Sequence, residues 1–360
     1  MKKSDALRVL PSLEAERGAL ELCTYCPKLC RAACPIGDAS PREGLIPWGK
    51  MTTAYQVARG VSPLDHAHAA SAWACTGCMG CRERCDPRND VAATLVAARA
   101  AFAKAGVAPA AIEAHRRGHA RRVARAERGL ARIGAAAGAS VDPSGAPLFL
   151  GCTYARGLPR EAVAMVRAVA RLLGGPVRLV GGCCGEPLRD AGDPSAADAA
   201  RSAVAAAARG EVLWVADPGC AFALSFSGAD ARSIVALAAS RLGALGVVER
   251  AGPVRYHDSC KLGRGLGLYD EPRAVLTAIL GRAPEELEDR RELARCSGAG
   301  GALPTSHPEL SRGIASARRA DHEGAGGGAL VTACPASALS LRRAGVPAEE
   351  LGVLLDLATS

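Results

Sequence analysis

Cys75-Thr76-Gly77-Cys78-Met79-Gly80-Cys81-Arg82-Glu83-Arg84-Cys85, with Cys23-Thr24-Tyr25-Cys26-Pro27-Lys28-Leu29-Cys30-Arg31-Ala32-Ala33-Cys34-Pro35 upstream, places eight thiols in two short runs. Three closely spaced thiolates can wrap three irons of a cubane, because the intervening turn gathers the sulfurs on one side; the fourth iron needs a more distant ligand. Gly77 and Gly80 suit such a loop, since a residue without Cβ tolerates positive φ and close backbone approach to a cofactor. Zinc sites usually present two cysteine pairs split by a longer loop. A disulfide scaffold fits neither the odd count of 15 cysteines nor a chain of 360 residues. The spacing of radical enzymes, three residues and then two between thiols, is absent from both runs, and the pattern reads as iron–sulfur binding.

Both runs resemble the motifs of two-cluster ferredoxins, in which each cluster takes its fourth cysteine from the other motif. That resemblance implies one 4Fe-4S cluster on Cys23, Cys26, Cys30 and Cys85, and a second on Cys75, Cys78, Cys81 and Cys34. Pro35 directly follows Cys34, as in the bacterial pattern, whereas Pro87 comes one residue late after Cys85, and three residues rather than two separate Cys26 from Cys30. The interval from Cys34 to Cys75, about 40 residues, is too long for the compact two-sheet ferredoxin. It is better filled by helices over 49–60 and 91–105, giving a helical ferredoxin domain over residues 1–105. Trp48 and Trp73 read as packing residues, because large rings chiefly contribute buried apolar area.

The chain is 49% hydrophobic yet only 3% aromatic, alanine, glycine and arginine making up the difference. Its net charge of +9 is spread through every segment without the interleaved aromatic residues that stack on bases, so nucleic acid is not an expected partner. Met1 to Leu22 lacks the apolar central run of an export signal, and no later stretch reaches the ~20 apolar residues of a membrane span. So many free thiols need a reducing compartment or an occupying cofactor. The expectation is a cytoplasmic protein whose membrane contact, if any, runs through a partner.

Residues 106–145 read as a basic helical linker carrying His115, Arg116, Arg117, His119, Arg121, Arg122, Arg125, Arg128 and Arg132, closed by a polar stretch over 138–145. Beyond it the periodicity changes. Leu148-Phe149-Leu150, Val177-Arg178-Leu179-Val180 and Val212-Leu213-Trp214-Val215 are short apolar runs separated by helical patterns such as 160–173. That alternation predicts parallel sheet in βαβ units. Three landmarks then recur in the same order: the loop of Cys152 in that of Cys260, Cys183-Cys184-Gly185 in Cys296-Ser297-Gly298, and Asp217-Pro218-Gly219-Cys220 in Cys334-Pro335-Ala336-Ser337. The recurrence predicts a duplicated α/β unit over 146–250 and 251–360, and an α+β multidomain chain as a whole.

Each landmark falls at the C-terminal end of a predicted strand, where open α/β sheets hold ligands. With Tyr256-His257-Asp258-Ser259-Cys260 and the Cys296-to-Gly301 run, these landmarks resemble the cysteine-rich (CCG) domain. That domain occurs in heterodisulfide reductase subunits and in iron–sulfur subunits of glycolate, lactate and glycerol-3-phosphate dehydrogenases. The resemblance implies a further metal centre on Cys152, Cys183, Cys184 and Cys220, with Asp217 in place of a fifth thiol as an oxygen ligand or a turn-former; Asp before Pro-Gly favours the turn. In the second repeat Ser297 and Ser337 replace thiols, leaving Cys260, Cys296 and Cys334 with His257, a set that suits iron–sulfur or zinc, or an empty site packing its thiols as small hydrophobes.

Neither Gly298-Ala299-Gly300-Gly301 nor the glycines of 324–328 have dinucleotide spacing, so no flavin or nicotinamide site is read on this chain. No residue is assigned a catalytic role. The expectation is an iron–sulfur electron-transfer subunit working between a flavoprotein dehydrogenase, of 2-hydroxy-acid type by resemblance, and a quinone- or ferredoxin-linked acceptor. Two alternatives stand beside it: a heterodisulfide-reductase-like subunit that reduces a disulfide at the cysteine-rich centres, and a redox-sensing scaffold that signals through the basic helix.

Overall fold

Capping residues set the helices of the first third of the chain. Pro47 opens the helix Pro47–Arg59 at a position that needs no N–H donor, and Gly60 closes it in the left-handed region at φ 80°. Asp65 caps His66–Trp73 by accepting the His68 N–H at 2.9 Å, and Asp90 caps Val91–Lys104 by accepting the Ala93 N–H at 3.0 Å. Apolar faces of these helices meet Leu20 of the helix Arg17–Thr24 in a core with Met51, Tyr55, Trp73, Leu95 and Phe102. Trp73 is fully buried there and donates its indole N–H to the Asp190 carbonyl at 2.9 Å.

The structure is a computed structural model and describes residues 6–360; the start of the Met1–Leu22 stretch lies outside the described residues. Two compact units make up the chain. The first takes the residues up to Gly118 with Pro187–Ala196 and Arg295–Arg318, and the second takes His119–Glu186, Ala197–Ala294 and Arg319–Ser360. The two returning segments are structural parts of the first unit: Arg99 pairs with Asp190 at 3.0 Å, and Arg295 with Asp38 at 2.8 Å.

The second unit holds two four-stranded sheets. One contains β1 (Val141–Phe149), β2 (Val177–Leu179), β3 (Leu213–Val215) and β4 (Ala231–Ser233) in the order β2-β1-β3-β4. The other contains β5 (Val254–His257), β6 (Glu285–Glu286), β7 (Ala329–Thr332) and β8 (Ala348–Glu350) in the order β6-β5-β7-β8. Every strand pair is parallel, and the second order repeats the first strand for strand. A helical N-terminal region followed by two βαβ-type sheets is therefore the architecture.

Two stretches differ from their sequence reading. The polar residues after Gly138 form the start of β1, because the main chain at Val141 pairs with Val177 whatever its side chains prefer, with an irregularity before Ala146. The basic segment forms two helices, Ala110–Arg117 and His119–Ala137. The second lies flat on its own unit: Ala126, Gly129 and Ile133 are buried, and a Cβ on Gly129 would stand 2.0 Å from the Ala155 carbonyl oxygen. Among the described residues no helix is long and apolar enough to cross a membrane.

Candidate iron–sulfur centres

In the first unit, Cys23 sits in the last turn of the helix Arg17–Thr24, and Lys28, in the left-handed region at φ 69°, turns the chain into the 3-10 turn Leu29–Ala33 that carries Cys30. Cys34 precedes Pro35–Ala39, with Pro35 at its first turn. The second run bends at Gly77 (φ 65°) and Met79 (φ 62°), and the Gly77 N–H donates to Cys75 Sγ at 3.4 Å. These bends place Cys23, Cys26, Cys30 and Cys85 around one cavity of about 640 Å³, with Cys81 also on its wall. Asn89 Nδ2 donates to Cys23 Sγ at 3.2 Å and to the Ala19 carbonyl at 2.9 Å. Burial pushes the Cys23 thiol up to about 12, against the pull of Asn89, and pushes Cys30 up to about 11.

The other four sulfurs of the runs gather about a lysine. Lys50, 1% exposed, places Nζ 2.7 Å from the Ala74 carbonyl oxygen and 3.9 Å from Cys34 Sγ. Burial works against its charge, but Cys34, Cys75, Cys81 and Cys78 together outweigh it and the net shift is upward. Burial raises Cys34, with Lys50 opposing and the sulfurs of Cys75 and Cys78 adding to it. Arg99 fixes the second run from behind, donating to the carbonyls of Ala72 at 3.0 Å and Cys75 at 2.8 Å. Gly300 and Gly301 pass so close that a Cβ on either would stand 2.5 Å from the Thr76 carbonyl oxygen or 2.1 Å from that of Cys75.

This donor set fits iron–sulfur clusters. A buried ammonium needs compensation, and among the described residues no carboxylate reaches Lys50. Thiolates supply it, and since burial raises Cys34 and Cys81, metal binding is what would hold them in that form. Lys50, Asn89 and Arg99 had no signal in the cysteine spacing, since they reach the sulfurs through tertiary packing.

In the second unit β1 runs into Gly151-Cys152, β2 leads to Cys183-Cys184, and β3 leads to Asp217 and Cys220. Strand order reverses between β1 and β3, so these thiols stand at the switch point where parallel sheets leave a crevice. Asp217 Oδ1 accepts the Gly219 N–H at 2.8 Å and caps the helix Pro218–Leu224. Burial lifts its carboxyl to about 6. Cys220 is pulled down by its neighbour Cys184 but raised further by burial and the Asp217 charge, to about 12. Arg156 Nη2 stands 3.8 Å from Cys152 Sγ, and Arg122 adds positive charge near Cys152 and Cys183.

The second repeat presents Cys260 after β5 and Cys334 after β7, while Cys296 belongs to the first unit. His257 ends β5, 3% exposed, opposite Thr332 of β7. Arg273 braces this loop, with contacts of 2.9 Å to Asp258 and 2.7 Å to Glu286. Burial and then the charge of Asp217 raise Cys334 to about 12, while Ser337, the residue in place of a thiol, pulls it down. Asp217 of one repeat thus acts on Cys334 of the other. Lys261, next to Cys260, also joins the two repeats, with Nζ 3.7 Å from Glu186 and 4.3 Å above the Phe222 ring.

Residues 19–89 match the family model described as a 4Fe-4S dicluster domain, and residues 146–225 and 254–342 match the one described as a cysteine-rich domain. One component of the dihydromethanophenazine:CoB–CoM heterodisulfide reductase of Methanosarcina mazei is 40% identical over 82 residues, 23% of this chain and 20% of that protein. One component of the fumarate reductase (CoM/CoB) of Methanothermobacter marburgensis is 26% identical over 354 residues, 93% of this chain and 70% of that protein. The EtfAB:quinone oxidoreductase of Syntrophomonas wolfei is 54% identical over 46 residues, 13% of this chain and 6% of that protein. The match to the heterodisulfide reductase component thus spans about a fifth of that protein's length.

Proposed function

The chain belongs with the iron–sulfur proteins that join a 4Fe-4S dicluster domain to two cysteine-rich domains, and we propose that it serves a complex in which a disulfide is reduced at the cysteine-rich centre of the second unit. Similarity to proteins named as oxidoreductases supports a general electron-transfer role in an oxidoreductase complex. The finer reading concerns where the electrons end.

One observation carries it. Four thiols of the first repeat, Cys152, Cys183, Cys184 and Cys220, stand at one sheet edge beside a buried carboxyl, Asp217, that also acts on Cys334 of the second repeat. Breaking one disulfide bond consumes two electrons and two protons and releases two thiols. When bound, ferredoxin-type clusters on Cys23, Cys26, Cys30, Cys85 and on Cys34, Cys75, Cys78, Cys81 supply one-electron storage. The electrons come from a reduced flavoprotein or ferredoxin-linked donor. Arg156 and Arg122 place positive charge where a cleaved sulfur is anionic. Asp217, lifted to about 6, holds a proton more readily near neutrality than an exposed carboxyl does.

A second reading is conduction alone, with a flavoprotein partner oxidising a 2-hydroxy acid. The replacement of thiols by Asp217, Ser297 and Ser337 favours it. Anaerobic protein, reduced and offered small disulfides, separates the two. The disulfide reading expects two thiols released per disulfide, and expects Cys184→Ala to abolish release while sparing dye reduction. No release, with cluster bleaching by a 2-hydroxy-acid flavoprotein, decides for conduction.

A further inference from the structure

We propose that Lys50 is the resident counter-charge of the inner ferredoxin-type site, holding up the reduction potential of a cluster bound by Cys34, Cys75, Cys78 and Cys81. Lys50 stands within the helix Pro47–Arg59 among buried Met51, Ala54 and Tyr55, a place where an apolar residue costs nothing. An ammonium buried there pays a desolvation penalty of several kcal/mol unless it meets opposite charge. What it meets is sulfur, with Nζ 3.9 Å from Cys34 Sγ, and its position is fixed by the 2.7 Å hydrogen bond it donates to the Ala74 carbonyl.

Reduction adds one negative charge to such a site. A fixed positive charge a few ångströms away in a low-dielectric interior favours the reduced form, since the attraction is poorly screened there. The outer site is arranged differently. Its sulfurs line an open cavity, and Asn89 gives Cys23 a neutral amide donor at 3.2 Å. Water solvates added charge on the outer side; Lys50 does so on the inner side, where burial otherwise drives the potential down. The lysine thereby offsets, on the inner side, the effect of burial on the potential. This inference rests on cluster occupancy of the ferredoxin-type sites and not on disulfide reduction.

The test is a redox titration followed by electron paramagnetic resonance on the full anaerobic chain, wild type against Lys50→Gln. One of the two reduced-cluster signals is expected to lose reduced form about tenfold at fixed potential, a shift of about 59 mV for a one-electron couple, with the other unmoved. Unchanged potentials, or equal shifts in both signals, overturn the proposal. Should Lys50→Gln hold less iron, the wild-type chain grown with 15N-lysine decides. Pulsed resonance is then expected to show a lysine nitrogen coupled to one reduced cluster, and no coupling to either overturns it. Absent disulfide turnover changes neither readout, so this inference and the proposed function fail separately.

Discussion

Gly151 and Cys220 approach so closely that a side chain on the glycine would take the sulfur's space: a Cβ there would stand 2.9 Å from Cys220 Sγ and 3.1 Å from the Asp217 Cβ. The glycine also holds φ 87°, where a residue with Cβ is strained by about 1–3 kcal/mol. Gly151→Ala is expected to push Cys220 and Asp217 apart and to lower both thermal stability and any metal held by the first cysteine-rich set. Iron analysis of the variant should fall only by that share, the ferredoxin signals persisting.

Arg99 and Asp190 make a buried ion pair at 3.0 Å between distant parts of the sequence, and the same guanidinium holds the carbonyls that carry the Cys75 loop. Asp190→Ala leaves the arginine charge without its carboxylate, a loss of about 3–5 kcal/mol for buried pairs. Urea unfolding should show an earlier transition, with Cys75 reacting faster with thiol reagents in metal-free protein. Arg99→Lys keeps the charge and its carboxylate but not the three-way fork, and is expected to be destabilised by less than Asp190→Ala.

The cysteine runs, the alternation of apolar runs with helical patterns, and the landmarks repeated after Cys152 and Cys260 were legible because each is a local pattern. Both sheets share one strand order, as a duplication requires. The onset of β1 at Val141 was not legible, since main-chain pairing rather than side-chain pattern decides it. Nor was the return of Pro187–Ala196 and Arg295–Arg318 to the first unit. Gly300 and Gly301 lack dinucleotide spacing in the sequence, and their smallness serves contact with Cys75 and Thr76, which only the fold brings near. Lys50 reads as a surface residue until the helices around it are assembled.

Glu350 is 1% exposed and accepts the Gly352 N–H at 2.7 Å. Burial lifts its carboxyl to about 7, with the nearby Tyr154 hydroxyl and the Gly352 N–H pulling the other way. An unfolded glutamate titrates near 4.3. Between those values the folded chain keeps a proton that the unfolded chain has released, so this group's stabilisation is full at the acid end and is lost as pH rises through about 7. Glu350→Gln should match wild type in urea midpoint near pH 4 and exceed it near pH 8, by an amount on the order of 4 kcal/mol at most.

Cys85 lines the same cavity as Cys23, Cys26 and Cys30, while Cys34 lies with Lys50 and feels the charges of Cys75 and Cys78. If each run lends its last cysteine to the other, a change in one run must register in the cluster of the other. Serine keeps the size of cysteine but replaces a soft thiolate by a weaker oxygen donor. Cys85→Ser is therefore expected to alter the same resonance signal as Cys23→Ser, and Cys34→Ser the same signal as Cys78→Ser. Pairing within each run predicts the opposite grouping, Cys85→Ser with Cys78→Ser and Cys34→Ser with Cys23→Ser. Low-temperature spectra of the four reduced variants distinguish the schemes without a substrate or a partner, because the readout is which signal changes rather than how fast the protein turns over.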